Sequence, residues 1–180
     1  YVIELPIRDA DGHLQLVPAL LPRTADSADD YLPLTPRNLI TQAFKFLGER
    51  YGWGHDYDTR DCSGFVSEIY RSFGVLLPRN TSAQGVSPAL ERTDFSTLDA
   101  TARARAVASL QLGALIYIPG HVMMSIGEVD GRPWVIPDTP GRSWLGADGK
   151  PVQAPPTVVS VTPPAPLAAS AEPLYLHRIP

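Results

Sequence analysis

Two periodicities in a fixed order constrain this chain more than any other feature. From Thr35 onward apolar residues recur at helical spacing, and from Ala114 they change to short runs broken by turns. Thr35-Pro36 reads as a helix start, with Thr at the N-cap and Pro at the first helical position. Leu39, Ile40, Ala43, Phe44 and Leu47 follow on one face, and Gly48 ends the helix. A second helix is expected over Cys62–Phe73, closed by Gly74, with Phe65, Val66, Ile69, Tyr70 and Phe73 inward. A third, rich in Ala and Arg, is expected over Leu98–Leu110. Then come strand-like Ala114–Ile118, a Pro119-Gly120 turn, His121–Glu128, a Val129-Asp130-Gly131 turn and Pro133–Ile136. Helices first and an antiparallel sheet second make an α+β fold.

Proline limits the two ends. Eight of the last thirty residues are Pro, so helix is excluded for most of that stretch. Within it Thr157–Thr162 reads as a short strand, and Leu174–Ile179 is a second candidate. The tail is therefore expected as extended chain packed on a body. Residues 1–34 alternate short apolar runs with turns such as Asp11-Gly12, which suggests an arm and connector leaving a small β module. Residues 35–180 are expected to form the main domain, a division that suits 180 residues.

Composition removes several classes of function. Net charge is −4 and no Lys or Arg cluster stands out, so nucleic-acid binding is not expected. The single cysteine, Cys62, excludes an internal disulfide framework and a multi-Cys zinc site. Ala114–Ile118, the longest clean apolar run, is far too short to span a membrane. The chain opens at Tyr1, so the lack of a visible leader says nothing about compartment.

Cys62 stands in Asp61-Cys62-Ser63-Gly64 at the start of the second helix. Unpaired N–H groups and the helix dipole there favour a thiolate, the nucleophilic form, and could also serve an oxyanion. A buried, inert thiol is the plain alternative, but Asp61, Ser63 and Gly64 are poor company for a core residue. A cysteine nucleophile needs a base brought near by the fold. His13 lies in a turn of the arm, His177 near the end, and His55 in a Gly-rich loop. His121 opens a strand after Gly120, with Val122, Met124 and Ile126 on the opposite side.

Tyr51-Gly-Trp-Gly, Asp61-Cys-Ser-Gly-Phe-Val, Phe73-Gly-Val-Leu-Leu-Pro-Arg79 and Gly120-His-Val-Met-Met-Ser-Ile-Gly127 together resemble the NlpC/P60 family. These are papain-like cysteine peptidases that cut peptidoglycan stem peptides. The resemblance covers roughly Thr35–Asp138, and Asn38–Gly54 looks like the branch carrying an SH3-like module before the catalytic domain. It implies Cys62 as nucleophile, His121 as general base and Tyr51 as a hydroxyl that helps hold the oxyanion. It also implies that Asp61 and Ser63 bind the free amino end of the stem peptide. Tyr51 could instead be packing, Asp61 an N-cap and Arg79 half of an ion pair, while His55 replaces a Gly of the family loop. No metal or organic cofactor is implied. The partners implied are stem peptides and an upstream SH3-like module. A periplasmic, envelope or secreted location follows from the family.

One position departs from the pattern. The family carries a third polar residue, often His, on the strand after the catalytic histidine, and this column falls at Pro137. A three-residue hairpin loop at Val129-Asp130-Gly131 would set Met123 opposite Pro137, on the face of His121. A two-residue turn at Asp130-Gly131 would instead set Met123 opposite Asp138. That register, or a bulge beside Pro137, would make Asp138 the orienter of His121; a backbone carbonyl or a water is the substitute. The expected function is a cysteine endopeptidase acting through a thioester, at the γ-D-glutamyl–diamino acid bond. Two alternatives remain open: a decayed peptidoglycan-binding module, and an amidase or acyltransferase on the same broad fold.

Overall fold

The computed structural model describes residues 1–88, 91–139, 142–145, 151–154, 158–162 and 175–178. The chain divides into two units, Tyr1–Tyr31 and Leu32–Pro180. The first is an antiparallel hairpin of β1 (Val2–Arg8) and β2 (Leu14–Leu20), registered from Val2↔Leu20 to Arg8↔Leu14. Asp9 Oδ1 closes the turn by accepting from the backbone N–H groups of Asp11 and His13.

In the second unit the helices begin where local caps allow. Thr35 Oγ1 accepts from Asn38 N, and α1 runs Pro36–Phe44 with Leu39 and Ala43 buried. Asp61 caps α2 (Cys62–Arg71), whose Phe65, Val66, Ile69 and Tyr70 are completely buried. Asp99 caps α4 (Ala100–Ala108) through Ala102 N, inside the expected Leu98–Leu110. Two elements carried no pattern in the sequence: the short helix α3 (Thr81–Gly85) and β3 (Glu91–Asp94). Glu-Arg-Thr-Asp is polar throughout and pairs with β9 (Tyr175–Arg178).

A five-stranded antiparallel sheet, ordered β3-β9-β4-β5-β6, is built from β4 (Leu115–Ile118), β5 (His121–Val129), β6 (Arg132–Pro137), β3 and β9 (Tyr175–Arg178). Separately, β7 (Arg142–Leu145) pairs antiparallel with β8 (Pro151–Ala154). In the tail, β9 falls within the expected Leu174–Ile179 and lies between β3 and β4; Leu174 and Ile179 are outside the described residues. Of the expected strand at Thr157–Thr162, only single bridges from Val158 to Arg50 and from Thr162 to Val135 form, and Thr157 lies outside the described residues.

The sheet separates two clusters. Leu115, Tyr117, Val122, Met124 and Ile136 pack with Cys62 and the inner face of α2. Ile116, Met123 and Val135 pack with Val107 of α4 and with Phe95. The β5–β6 hairpin closes on the two-residue turn Asp130-Gly131, both at positive φ (53° and 72°), as a type I′ turn needs. A shift between Ser125 and Gly127 then returns the register by one, so Met123 faces Pro137.

Candidate active site

Cys62 is the first residue of α2, and its Sγ lies at the foot of a cleft of about 530 Å³. The cleft is walled by Tyr51, Trp53, Asp61, Ser63, Arg79 and Thr81, and by Tyr117–Gly120. Backbone N–H groups of Val122 and Ser63 point at the sulphur, and Thr81 Oγ1 lies 3.8 Å from it. These donors favour a thiolate, but the residue is only 4% exposed. Burial, aided by the Asp61 charge, outweighs them and raises the thiol above its ordinary value. Burial thus opposes the thiolate that the helix terminus favours.

Asp61 organises the rim. Its Oδ1 accepts from Gly64 N at 2.8 Å, Ser63 Oγ at 3.0 Å and Arg79 Nη1 at 3.1 Å. Its Oδ2 accepts from Arg79 Nη2 at 2.7 Å and from Gly54 N at 3.2 Å. Burial alone would raise this carboxyl; the Arg79 guanidinium, Gly64 N–H and Ser63 hydroxyl hold it below the usual value. Asp61 is thus the N-cap and the partner of Arg79 at once, and Arg79 Nη1 also donates to Ser63 Oγ. The Gly54 contact ties down a strained single-turn segment, Trp53–Asp58, where His55, Tyr57 and Asp58 all have positive φ. His55 is exposed, yet it sits on α2: a Cβ on Gly64 would lie 1.9 Å from its Nε2.

Tyr51 shares the cleft wall with Cys62. Burial, then the neighbouring Cys62, Asp61 and Asp138 charges, push its phenol well up, so it remains a neutral donor at working pH. His121 opens β5 opposite Ile118, next in sequence to the Val122 whose N–H faces the sulphur. Cys62, Tyr51, Asp61 and Ser63 are brought to one cleft that reaches Gly120, the residue before His121; strand alternation puts His121 on the face of Met123, whereas Val122 packs with Cys62. The NlpC/P60 family model matches residues 48–136.

Residues 48–136 are thus an NlpC/P60 domain. A curated relative from Listeria welshimeri, "Probable endopeptidase p60", is 46% identical over 50 residues, which is 27% of this chain and 10% of that protein. An NlpC/P60 endopeptidase from Photobacterium damselae subsp. piscicida shares the fold at TM-score 0.80 and 17% identity, covering 98% of this chain and 46% of that one. An NlpC/P60 family protein from Bacillus cereus ATCC 10987 aligns at TM-score 0.53 and 25% identity, over 83% of this chain and 42% of that one.

Asp138, the expected orienter of His121, accepts no hydrogen bond among the described residues. Its carboxylate is completely buried. Burial, then the Glu49 and Asp61 charges, push the carboxyl up to about 7, against the pull of Arg60. The bulge between Ser125 and Gly127 is the reason: it cancels the register of the two-residue turn and returns Pro137 to the position opposite Met123. Strand alternation puts Pro137 and His121 on one face of the sheet. Two residues of the NlpC/P60 site were not legible beforehand. Thr81 touches the sulphur, and Gln84, 1% exposed, ties α3 to α2. Both lie on a helix too short to show a period, so no sequence signal marked them.

Proposed function

We propose that this chain is a cysteine endopeptidase of cell-wall peptidoglycan, cutting stem peptides at the γ-D-glutamyl–diamino acid bond. The observation that carries the reading is Cys62 Sγ at the first turn of α2, at the foot of the cleft and beside the start of β5. The domain's family and the names of its relatives, endopeptidases among them, supply the substrate class. Action on the wall places the protein in the envelope or outside the cell; among the described residues no helix is long and apolar enough to cross a membrane.

The resting nucleophile is the thiol, since burial disfavours the charged form. As Cys62 Sγ attacks the amide carbonyl carbon, its proton passes to His121, and the carbonyl oxygen takes the negative charge. N–H groups at the α2 start and the Tyr51 hydroxyl stabilise that oxygen. His121 then returns the proton to the leaving amine as the C–N bond breaks, leaving a thioester. Water, deprotonated by the same imidazole, hydrolyses the thioester and regenerates the thiol. Asp61 and Ser63, held by Arg79, form the end of the cleft that takes the free amino end of the peptide.

Digestion of purified peptidoglycan, followed by mass spectrometry of the fragments, tests the proposal. Expected products are split between the D-glutamyl and diamino acid residues, appear faster from free tetrapeptide than from intact muropeptide, and vanish with Cys62→Ala. Binding to the wall without any Cys62-dependent product would favour the decayed module, which Pro137 on the face of His121 would explain.

A further inference from the structure

We propose that the Thr81 hydroxyl is a further catalytic group of this site, acting on the Cys62 sulphur throughout the attack. This rests on the reading of Cys62 as nucleophile and adds a residue to it. Thr81 Oγ1 stands 3.8 Å from Cys62 Sγ, and both residues line the same cleft. A hydroxyl can accept a hydrogen bond from a thiol and, after rotating, donate one to a thiolate. It therefore matches both states of the sulphur and keeps its own proton throughout. The backbone N–H groups of Val122 and Ser63 can only donate.

Three features argue against an ordinary structural role for this hydroxyl. Among the described residues, Thr81 Oγ1 has no other hydrogen-bond partner. It does not cap α3, whose N-cap position is taken by Asn80, itself without a side-chain cap bond. The position of α3 is fixed by other means: the buried Gln84 Nε2 reaches Ser63 O at 3.2 Å, Ser67 Oγ at 3.0 Å and Pro78 O at 2.8 Å. Two of those acceptors belong to α2, so the hydroxyl is held against the nucleophile helix by a side chain three residues away.

The need for such a donor follows from the surroundings of the sulphur. Cys62 is buried beside the Asp61 carboxylate and the neutral Tyr51 phenol. Arg79, the nearby guanidinium, is bound to Asp61 through both of its terminal nitrogens, and His121 stands at the start of β5 as the proton acceptor. Negative charge that develops on the sulphur before the C–S bond forms is thus met by short-range donors, and Thr81 supplies the side-chain one.

The test compares the rate of iodoacetamide alkylation against pH for wild type, Thr81→Val, Thr81→Ser and Cys62→Ala, with thermal melts as the folding control. Thr81→Val is expected to move the profile to higher pH and slow alkylation at neutral pH roughly three- to tenfold, the worth of one hydrogen bond. Thr81→Ser is expected to restore the wild-type profile. On a γ-D-glutamyl–diamino acid peptide, Thr81→Val should lower kcat and leave KM unchanged. Should the Val branch disturb α3, Thr81→Ala removes the same hydroxyl without it. Coincident profiles for wild type and the hydroxyl-free variant would overturn the role of Thr81 while leaving Cys62 as nucleophile. Failure of Ser to rescue would overturn it as well, and a wild-type thiol that never reacts would overturn both.

Discussion

Two carboxylates that both act on the Tyr51 phenol behave in opposite ways. Asp61 accepts from Arg79, Gly64, Ser63 and Gly54 and is held ionised. Asp138 is buried with neither oxygen satisfied among the described residues, and its carboxyl is pushed up to about 7. For an acid raised on folding, the folded state holds the extra proton between the unfolded and folded pKa values. Stability contributed by protonated Asp138 is therefore present in acid and lost as pH climbs from about 4 to about 7. The loss is on the order of 2–4 kcal/mol at most. Asp138→Asn keeps a neutral side chain at every pH and should remove this component. Urea midpoints at pH 5 and pH 8 measure it: the wild type should lose markedly more between them than the variant. Because Asp138 does not hydrogen-bond His121, the same variant should retain turnover. An equal pH response in both proteins would reject the assignment.

The β5–β6 hairpin shows how one extra residue decides a neighbour of His121, the proposed base. Asp130-Gly131 forms the two-residue turn, and without the irregularity between Ser125 and Gly127 Met123 would face Asp138. With it, Pro137 takes that place, on the face of His121, and offers no side-chain acceptor. Pro137→His should therefore set an imidazole diagonally across the strands from His121 and raise kcat on stem peptides several-fold. Steady-state kinetics with a matched melting temperature checks this. A folded variant with unchanged kcat would mean that residue 137 does not reach the base. The rim segment Trp53–Asp58 is the second element with its own constraint. A Cβ on Gly52 would lie 2.3 Å from the backbone O of Asp56, so only glycine lets that segment turn over the cleft.

Both buried clusters of the molecule, one on each side of the five-stranded sheet, are drawn from residues after Leu32. The first unit is a two-stranded hairpin whose Val2, Leu14, Leu16 and Leu20 are all exposed, and such hairpins are marginal by themselves. Stability of the second unit should therefore survive removal of residues 1–31. A chain of residues 32–180 should melt within a few degrees of the full chain and react with iodoacetamide at the same rate. A large fall in melting temperature would show that the hairpin contributes to the core of the second unit.

What the sequence determined by itself is what short-range chemistry decides. Thr35 and Asp61 cap helices through N–H groups three residues ahead, so the starts of α1 and α2 could be read directly; Asp99 caps α4 in the same way, although its start was expected at Leu98. Cys62 at such a start, and Gly120-His121 at the head of a strand, were legible for the same reason. The tertiary structure decided whatever depends on distant partners. It put β9 between β3 and β4, brought Thr81 against a sulphur nineteen residues away, and set the ladder that gives Pro137 rather than Asp138 the place opposite Met123. It also set burial against the acidity expected of Cys62. A helix terminus acts over one turn and is visible in four residues, whereas desolvation sums over every group packed around the thiol and exists only once the chain has folded.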